Sequence, residues 1–238
     1  LGDVYKRQGY LVTHGRDHSL RVWKMPDELG SVALSSSMAK NLPLPTMLHE
    51  MGVNALNYCA YDMCIRNEDT PTLDGWLVIP NTLESGWIDL YHVPSQQRII
   101  ESLGRQADIR SGTERPAIVM ALQICILRDI LWIVAGYEDG VLQAWTIPVS
   151  TMEPTLVWTH KSHAESIMAL SMSPTCDSVL SLGADYNIVR TALHQEAVPH
   201  VQRIKRPGHA CASVRWDERV CVLGGWDACA RVFTWPSL

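Results

Sequence analysis

WIVAGYEDGVLQAWTI, residues 132–147, reads as a short apolar strand, a glycine, a polar turn with Asp139 and a second strand carrying Trp145. Alternating side chains on either side of a tight polar turn mark a β-hairpin, because successive strand residues face opposite sides of a sheet. The pattern returns at YLVTHGRDHSLRVWKM (10–25), VLSLGADYNIVRTALH (179–194) and VCVLGGWDACARVFTW (220–235). The turn acids are Asp17, Asp139, Asp185 and Asp227, preceded by Gly15, Gly136, Gly183 and Gly224. Six residues beyond each acid stand Trp23, Trp145, Thr191 and Phe233. A fifth hairpin, GWLVIPNTLESGWIDLYHV (75–93), has a longer turn without the acid and puts Tyr91 in the aromatic place. The glycines are expected to supply backbone angles that a side chain forbids. The aspartates are expected to accept hydrogen bonds from local amides and from a donor elsewhere in the unit.

Each hairpin needs further strands to bury its faces. LHEMGVNALNYCAY (48–61), SHAESIMALSMSP (162–174) and GHACASVRW (208–216) each offer a strand introduced by a histidine: His49, His163 and His209. AIVMALQICI (117–126) offers one without it, and TLVWTH (155–160) reads as an outer strand. Four antiparallel strands per unit, recurring every roughly 40–60 residues, describe a WD-repeat β-propeller, an all-β fold with about five blades visible. The repeat region is 9–238, with long polar loops expected at 26–45 and 94–116. The first eight residues, LGDVYKRQ, match nothing downstream and read as a non-native or edge segment. The chain is then expected to be a piece of a longer protein that begins at a blade's second strand, with open edges that make it marginal in solution.

Composition narrows the function classes. A net charge of −5 argues against a nucleic-acid binder. Arg203, Lys205 and Arg206 form one short basic loop, which reads as solvated. No apolar run reaches the roughly 18 residues of a membrane helix. Seven cysteines, an odd number set among apolar neighbours, read as reduced core thiols and favour an intracellular location. His14 with His18 and His160 with His163 have metal-like spacings, but no short cysteine pair joins them, so no metal is expected. No nucleophile elbow, P-loop or dinucleotide fingerprint occurs, and acids repeated at one turn position serve the turn before any catalysis. No catalytic residue and no cofactor are expected.

HGRDHSLRVW, VNALNYCAY, AGYEDG, GADYNIV and GGWDACARVF, covering almost everything from Gly9 onward, resemble the ASTRA-associated protein 1 family, related to guanine nucleotide-binding protein β-like 1. That resemblance implies a seven-bladed propeller in the nucleus and/or cytoplasm. It implies a chromatin-linked ASTRA subunit that works with the TTT co-chaperone and RuvB-like ATPases in maturing phosphatidylinositol-3-kinase-related kinases. WD families often brace a blade with a bonded His, Ser, Asp and Trp. Here His163, Ser181 and Asp185 are present without the Trp, and Thr13, Asp17 and Trp23 without the His. In the last unit His209 and Asp227 keep their places while Leu223 stands for Ser and Phe233 for Trp.

The function expected is a non-catalytic protein scaffold, with no direct nucleic-acid or membrane contact. A G-protein β-like adaptor is the alternative, which a coiled coil ahead of the first blade would mark; an enzyme would need a channel lined by titratable groups. Partner binding is expected on the turn rim, at Arg16, His18, Tyr137, Glu138, Tyr186 and Trp226, because aromatics and arginine anchor interfaces.

Overall fold

A computed structural model describes residues 4–7, 9–26, 44–53, 59–66, 73–93, 95–105, 116–173, 175–194, 199–204, 214–216 and 220–234. Among them every regular element is a strand. β1 (Val4–Arg7), β2 (Tyr10–His14), β3 (Ser19–Lys24) and β4 (Thr46–Gly52) form the first sheet, hydrogen-bonded in that order. β5 (Asp62–Ile65), β6 (Gly75–Pro80), β7 (Ile88–His92) and β8 (Gln97–Leu103) form the second. β9 (Val119–Leu127), β10 (Ile130–Tyr137), β11 (Val141–Pro148) and β12 (Thr155–Lys161) form the third. β13 (Ile167–Met172), β14 (Ser178–Gly183), β15 (Asn187–Ala192) and β16 (His200–Arg203) form the fourth. β17 (Val214–Trp216), β18 (Val220–Gly224) and β19 (Ala230–Thr234) form the last. All pairings are antiparallel, and the hairpin registers follow the alternation, as in Ile133 opposite Trp145 and Ser181 opposite Val189.

Each of the three inner sheets covers one face with the sheet before it and the other with the sheet after it, which gives four cores between the five sheets. Val12, Leu20 and Val22 meet Met63, Leu77 and Ile79 between the first two. Val78, Ile88 and Leu90 meet Ile124, Ile133 and Trp145 between the second and third. Trp132, Val134 and Leu142 meet Ile167, Leu170 and Val179 in the next. Leu180, Leu182 and Ile188 meet Cys221 and Leu223 in the last. Burial on both faces explains the nearly unbroken apolar runs of β6, β10 and β14. Each such Leu or Ile contributes about 1.5–3 kcal/mol by leaving water. This succession of four-stranded antiparallel sheets is a β-propeller architecture.

Four expectations are corrected. Residues 4–7 are not outside the repeat: Val4–Arg7 pairs with β2 from Val4 opposite Thr13 to Arg7 opposite Tyr10, so the first sheet starts with its first strand. His49 does not introduce the second unit; it lies on β4, opposite Val22. The first strand of the second sheet is DMCI, β5, thirteen residues further on, and its short length hid it. The loop expected at 94–116 contains β8, whose charged residues face solvent on an outer strand and mask the apolar Ile100 and Leu103 that turn inward. Of the loop expected at 26–45, residues 27–43 lie outside the described residues, as does His209.

Gly15 and Gly183 do not have left-handed backbones. They leave room for the turn acid and its partner: a Cβ at Gly15 would stand 2.3 Å from Asp17 Oδ1, and one at Gly183 2.7 Å from His163 Nδ1 and 3.1 Å from Asp185 Oδ1. In the last sheet this place belongs to Gly225, 2.6 Å from Asp227 Oδ1, and not to Gly224.

Candidate functional site: the turn face and its braces

The turns between second and third strands gather at one end of the sheets, where backbone bonds tie them together. The Ser85 carbonyl accepts the Val119 amide at 2.9 Å, and the Ile118 carbonyl accepts the Glu138 amide at 2.9 Å. The Glu138 carbonyl accepts the Ser166 hydroxyl at 2.7 Å, and the Ser166 carbonyl accepts the Ala184 amide at 2.8 Å. A belt of hydrogen bonds therefore runs from the second sheet to the fourth.

The turn acid plays one common part. Its carboxylate accepts the amide two residues on: Ser19 for Asp17, Val141 for Asp139, Asn187 for Asp185 and Cys229 for Asp227. This closes the turn locally. The second partner varies. Asp17 pairs with Arg21 at 2.7 Å and Asp227 with Arg231 at 3.0 Å, both four residues on. The Arg21 hydrogen bond holds the Asp17 carboxyl below the usual range. Asp185 instead takes His163.

In the fourth sheet His163 Nδ1 lies 3.0 Å from Asp185 Oδ1, and Nε2 lies 2.9 Å from Ser181 Oγ. The carboxylate fixes the tautomer: Nδ1–H donates to Asp185, and Nε2 accepts the Ser181 hydroxyl. Burial pushes the Asp185 carboxyl up, but His163 and the Asn187 and Ala164 amides outweigh it and bring it below its ordinary range. The connectivity equals that of a Ser–His–Asp triad. Ser181 is 0 % exposed, however, so no acyl group can reach its oxygen. The set braces the blade.

The rest of the expected set is split between sheets. Trp23 Nε1 donates to Thr13 Oγ1 at 2.9 Å in the first sheet. In the fourth, Thr191 is fully buried and its hydroxyl has no partner among the described residues. Trp145 is buried in the core between the second and third sheets, Tyr91 is half-buried, and Phe233 packs on the last core.

Other braces carry no sequence motif. In the second sheet Asn81 Nδ2 donates to Asp89 Oδ1 at 2.9 Å, while Asn81 Oδ1 accepts the Leu83 and Glu84 amides. Asp89 is wholly buried and also takes the Ser102 amide at 2.9 Å and Arg98 at 3.3 Å. Asp62 bridges first strands of neighbouring sheets, accepting the Ile124 amide at 2.8 Å. Burial raises its carboxyl to about 6, against the pull of the Ile124 and Met63 amides. Its only signal was an acid opening an otherwise apolar DMCI.

The rim residues divide. Arg16 and His18 are exposed in the first turn, Tyr186 is 36 % exposed in the fourth and Trp226 62 % exposed in the last. Arg203 stacks over Tyr186 at 5.8 Å. Tyr137 is only 6 % exposed and packs in the core beside Trp145, so it is not on the accessible rim. Glu138 is exposed, but its Oε1 accepts the Ile118 amide at 3.1 Å, which commits it to the belt. Among the described residues no three His, Cys, Asp or Glu side chains gather as a metal site requires. His14 is buried edge-on to Tyr61, and His160 stacks on Trp158.

Sheets of this order with a tied turn end define the protein's class, a β-propeller. No protein-family model matches the sequence. The chain is nevertheless a relative of the fungal ASTRA-associated protein 1 proteins along nearly its whole length, which bears out the resemblance seen in its motifs. The protein of that name from Verticillium alfalfae is 31 % identical, over 96 % of this chain and 58 % of its own length. That from Penicillium rubens is 27 % identical, over 99 % and 63 %. That from Schizosaccharomyces japonicus is 22 % identical, over 95 % and 70 %. The chain thus spans about three fifths of the first two relatives. Among solved structures, the computationally designed protein Ika4 aligns at TM-score 0.47 and 18 % identity, over 73 % of this chain and 89 % of that one. That superposition is too loose to bear on function.

Proposed function

We propose that this chain is part of a WD-repeat scaffold that binds other proteins through its turn face and has no chemistry of its own. The observation that carries the reading is the exposure of Trp226, Tyr186, Arg16 and His18 on turns at the same end of the sheets. Large aromatic and basic side chains on a rigid frame are what interface anchors need. The relatives' name points to the ASTRA assembly as its setting. On the family resemblance, the TTT co-chaperone, the RuvB-like ATPases and the phosphatidylinositol-3-kinase-related kinases are its partners, in the nucleus and cytoplasm.

The test is a tagged pull-down of those partners with the unchanged chain and with Arg16→Glu, His18→Ala, Tyr186→Ala and Trp226→Ala combined. Capture is expected to fall at least about tenfold, since a single anchor is worth 1–2 kcal/mol or more. Undiminished capture by a folded variant rejects the turn face as the binding surface.

A further inference from the structure

Arg203 ends β16 opposite Asn187, the residue that follows Tyr186 of the fourth turn. The Ile204 amide donates to the Tyr186 carbonyl at 2.7 Å, so the end of this outer strand is tied to the turn. The Arg203 guanidinium lies over the Tyr186 ring, 5.8 Å from its centroid, and both side chains are exposed. An arginine held over an aromatic ring has little freedom left to lose when a ligand arrives, and it keeps the N–H fork at its edge for a carboxylate. Trp226 adds an exposed ring on the corresponding turn of the next sheet, which shares a core with this one.

The acids of the neighbouring turns already have cations. Asp17 pairs with Arg21 at 2.7 Å, Arg21 with Glu50 at 2.8 Å, Asp227 with Arg231 at 3.0 Å and Asp185 with His163 at 3.0 Å. Among the described residues no carboxylate pairs with Arg203 or Arg16. The third sheet has the opposite sign: Glu138, Asp139 and, beside them, Glu165 are exposed at the same end, where Lys161 donates to the Asp139 carbonyl. The turn face therefore carries an unmatched positive charge among aromatic rings on the fourth sheet, and unmatched negative charge on the third.

We propose that Tyr186, Arg203 and Trp226 are the docking site for an acidic peptide segment of a partner protein. One carboxylate of the segment pairs with the Arg203 fork, and an adjacent large apolar side chain packs on Trp226. The inference rests on the turn face being the binding surface and adds the sign of what binds there. A basic segment is repelled by Arg203. A polyanion long enough to cross several turns, such as single-stranded nucleic acid, runs into Glu138, Asp139 and Glu165, whereas a short acidic segment stays clear of them on the side of the fourth and fifth sheets.

A random peptide library displayed on phage is selected against the chain, and the enriched peptides are labelled with fluorescein and titrated by anisotropy. The expected peptides set Asp or Glu beside a large apolar residue and bind more weakly as salt is raised. Arg203→Glu is expected to weaken them at least about tenfold, and Arg203→Lys, which keeps the charge and loses the planar fork, about threefold or more. Arg203→Gln removes the cation without adding a charge and is expected to fall between the two; urea midpoints equal to that of the unchanged chain show that the variants fold. Peptides that need Trp226 and Tyr186 but carry no acid, or that bind Arg203→Glu undiminished, overturn the proposal and leave the turn face standing. Peptides indifferent to Trp226→Ala and Tyr186→Ala as well reject the turn face itself. No enriched peptide, or labelled oligothymidylate bound more tightly through the same three residues, also overturns the proposal.

Discussion

Asp62 is a carboxylate on a first strand whose hydrogen bonds come from backbone amides, with its pKa near 6 in the fold against about 3.8 for a free side chain. A raised carboxyl binds its proton more tightly when folded, so its contribution is most favourable below about pH 4 and is lost as pH rises through 6. Asp62→Asn keeps an oxygen for the Ile124 amide and removes the charge. We expect it to stabilise the protein by roughly 1–3 kcal/mol at pH 7.5 and to have little effect at pH 4, read from urea unfolding at both values. Asp185 has the opposite sign. Its lowered carboxyl adds stability above about pH 4 that is lost on acidification. Asp185→Ala takes the acceptor from His163 Nδ1 and from the Ala164 and Asn187 backbone amides and is expected to cost about 2–4 kcal/mol at pH 7. The two acids also differ in legibility. Asp185 recurs at a turn position, so its role could be read from spacing; Asp62 and Asp89 stand once each, and burial that comes only from a neighbouring strand leaves no local mark.

The hairpins were readable as elements because turn and alternation are local. The first and outer strands were less so, since what makes them strands is the partner they pair with. β5 has four residues and β8 is dominated by exposed charge, and neither declares itself without β6 and β7. The glycines show the same limit: their positions were legible, but the atoms they make room for come from folded turns. Gly140, at φ +81°, would bring a Cβ to 2.2 Å from the His163 carbonyl, so both conformation and space forbid a side chain. Gly140→Ala is expected to cost about 2 kcal/mol or more, measured as a lower urea midpoint with an unchanged slope. Thr191→Val removes a buried hydroxyl that has no partner among the described residues and is expected to be neutral or stabilising by up to about 1 kcal/mol.

Among the described residues each core joins consecutive sheets only, so stability is close to a sum over neighbours. Leu223→Ala, in the last core, is expected to cost about 2–4 kcal/mol there. Hydrogen exchange should quicken in β18 and β14 and leave β2 and β6 unchanged; quickening in all of them would mean one cooperative unit. The turn acid adds a consequence for descent. A turn that closes on the amide two residues away tolerates histidine or arginine as its second partner, and the loss of serine or tryptophan elsewhere. Lineages built on such turns can drift beyond the reach of a tryptophan motif while their backbone stays in place. Distant kin of this chain are therefore better sought by hairpin length and turn acid than by the residue after which such repeats are called.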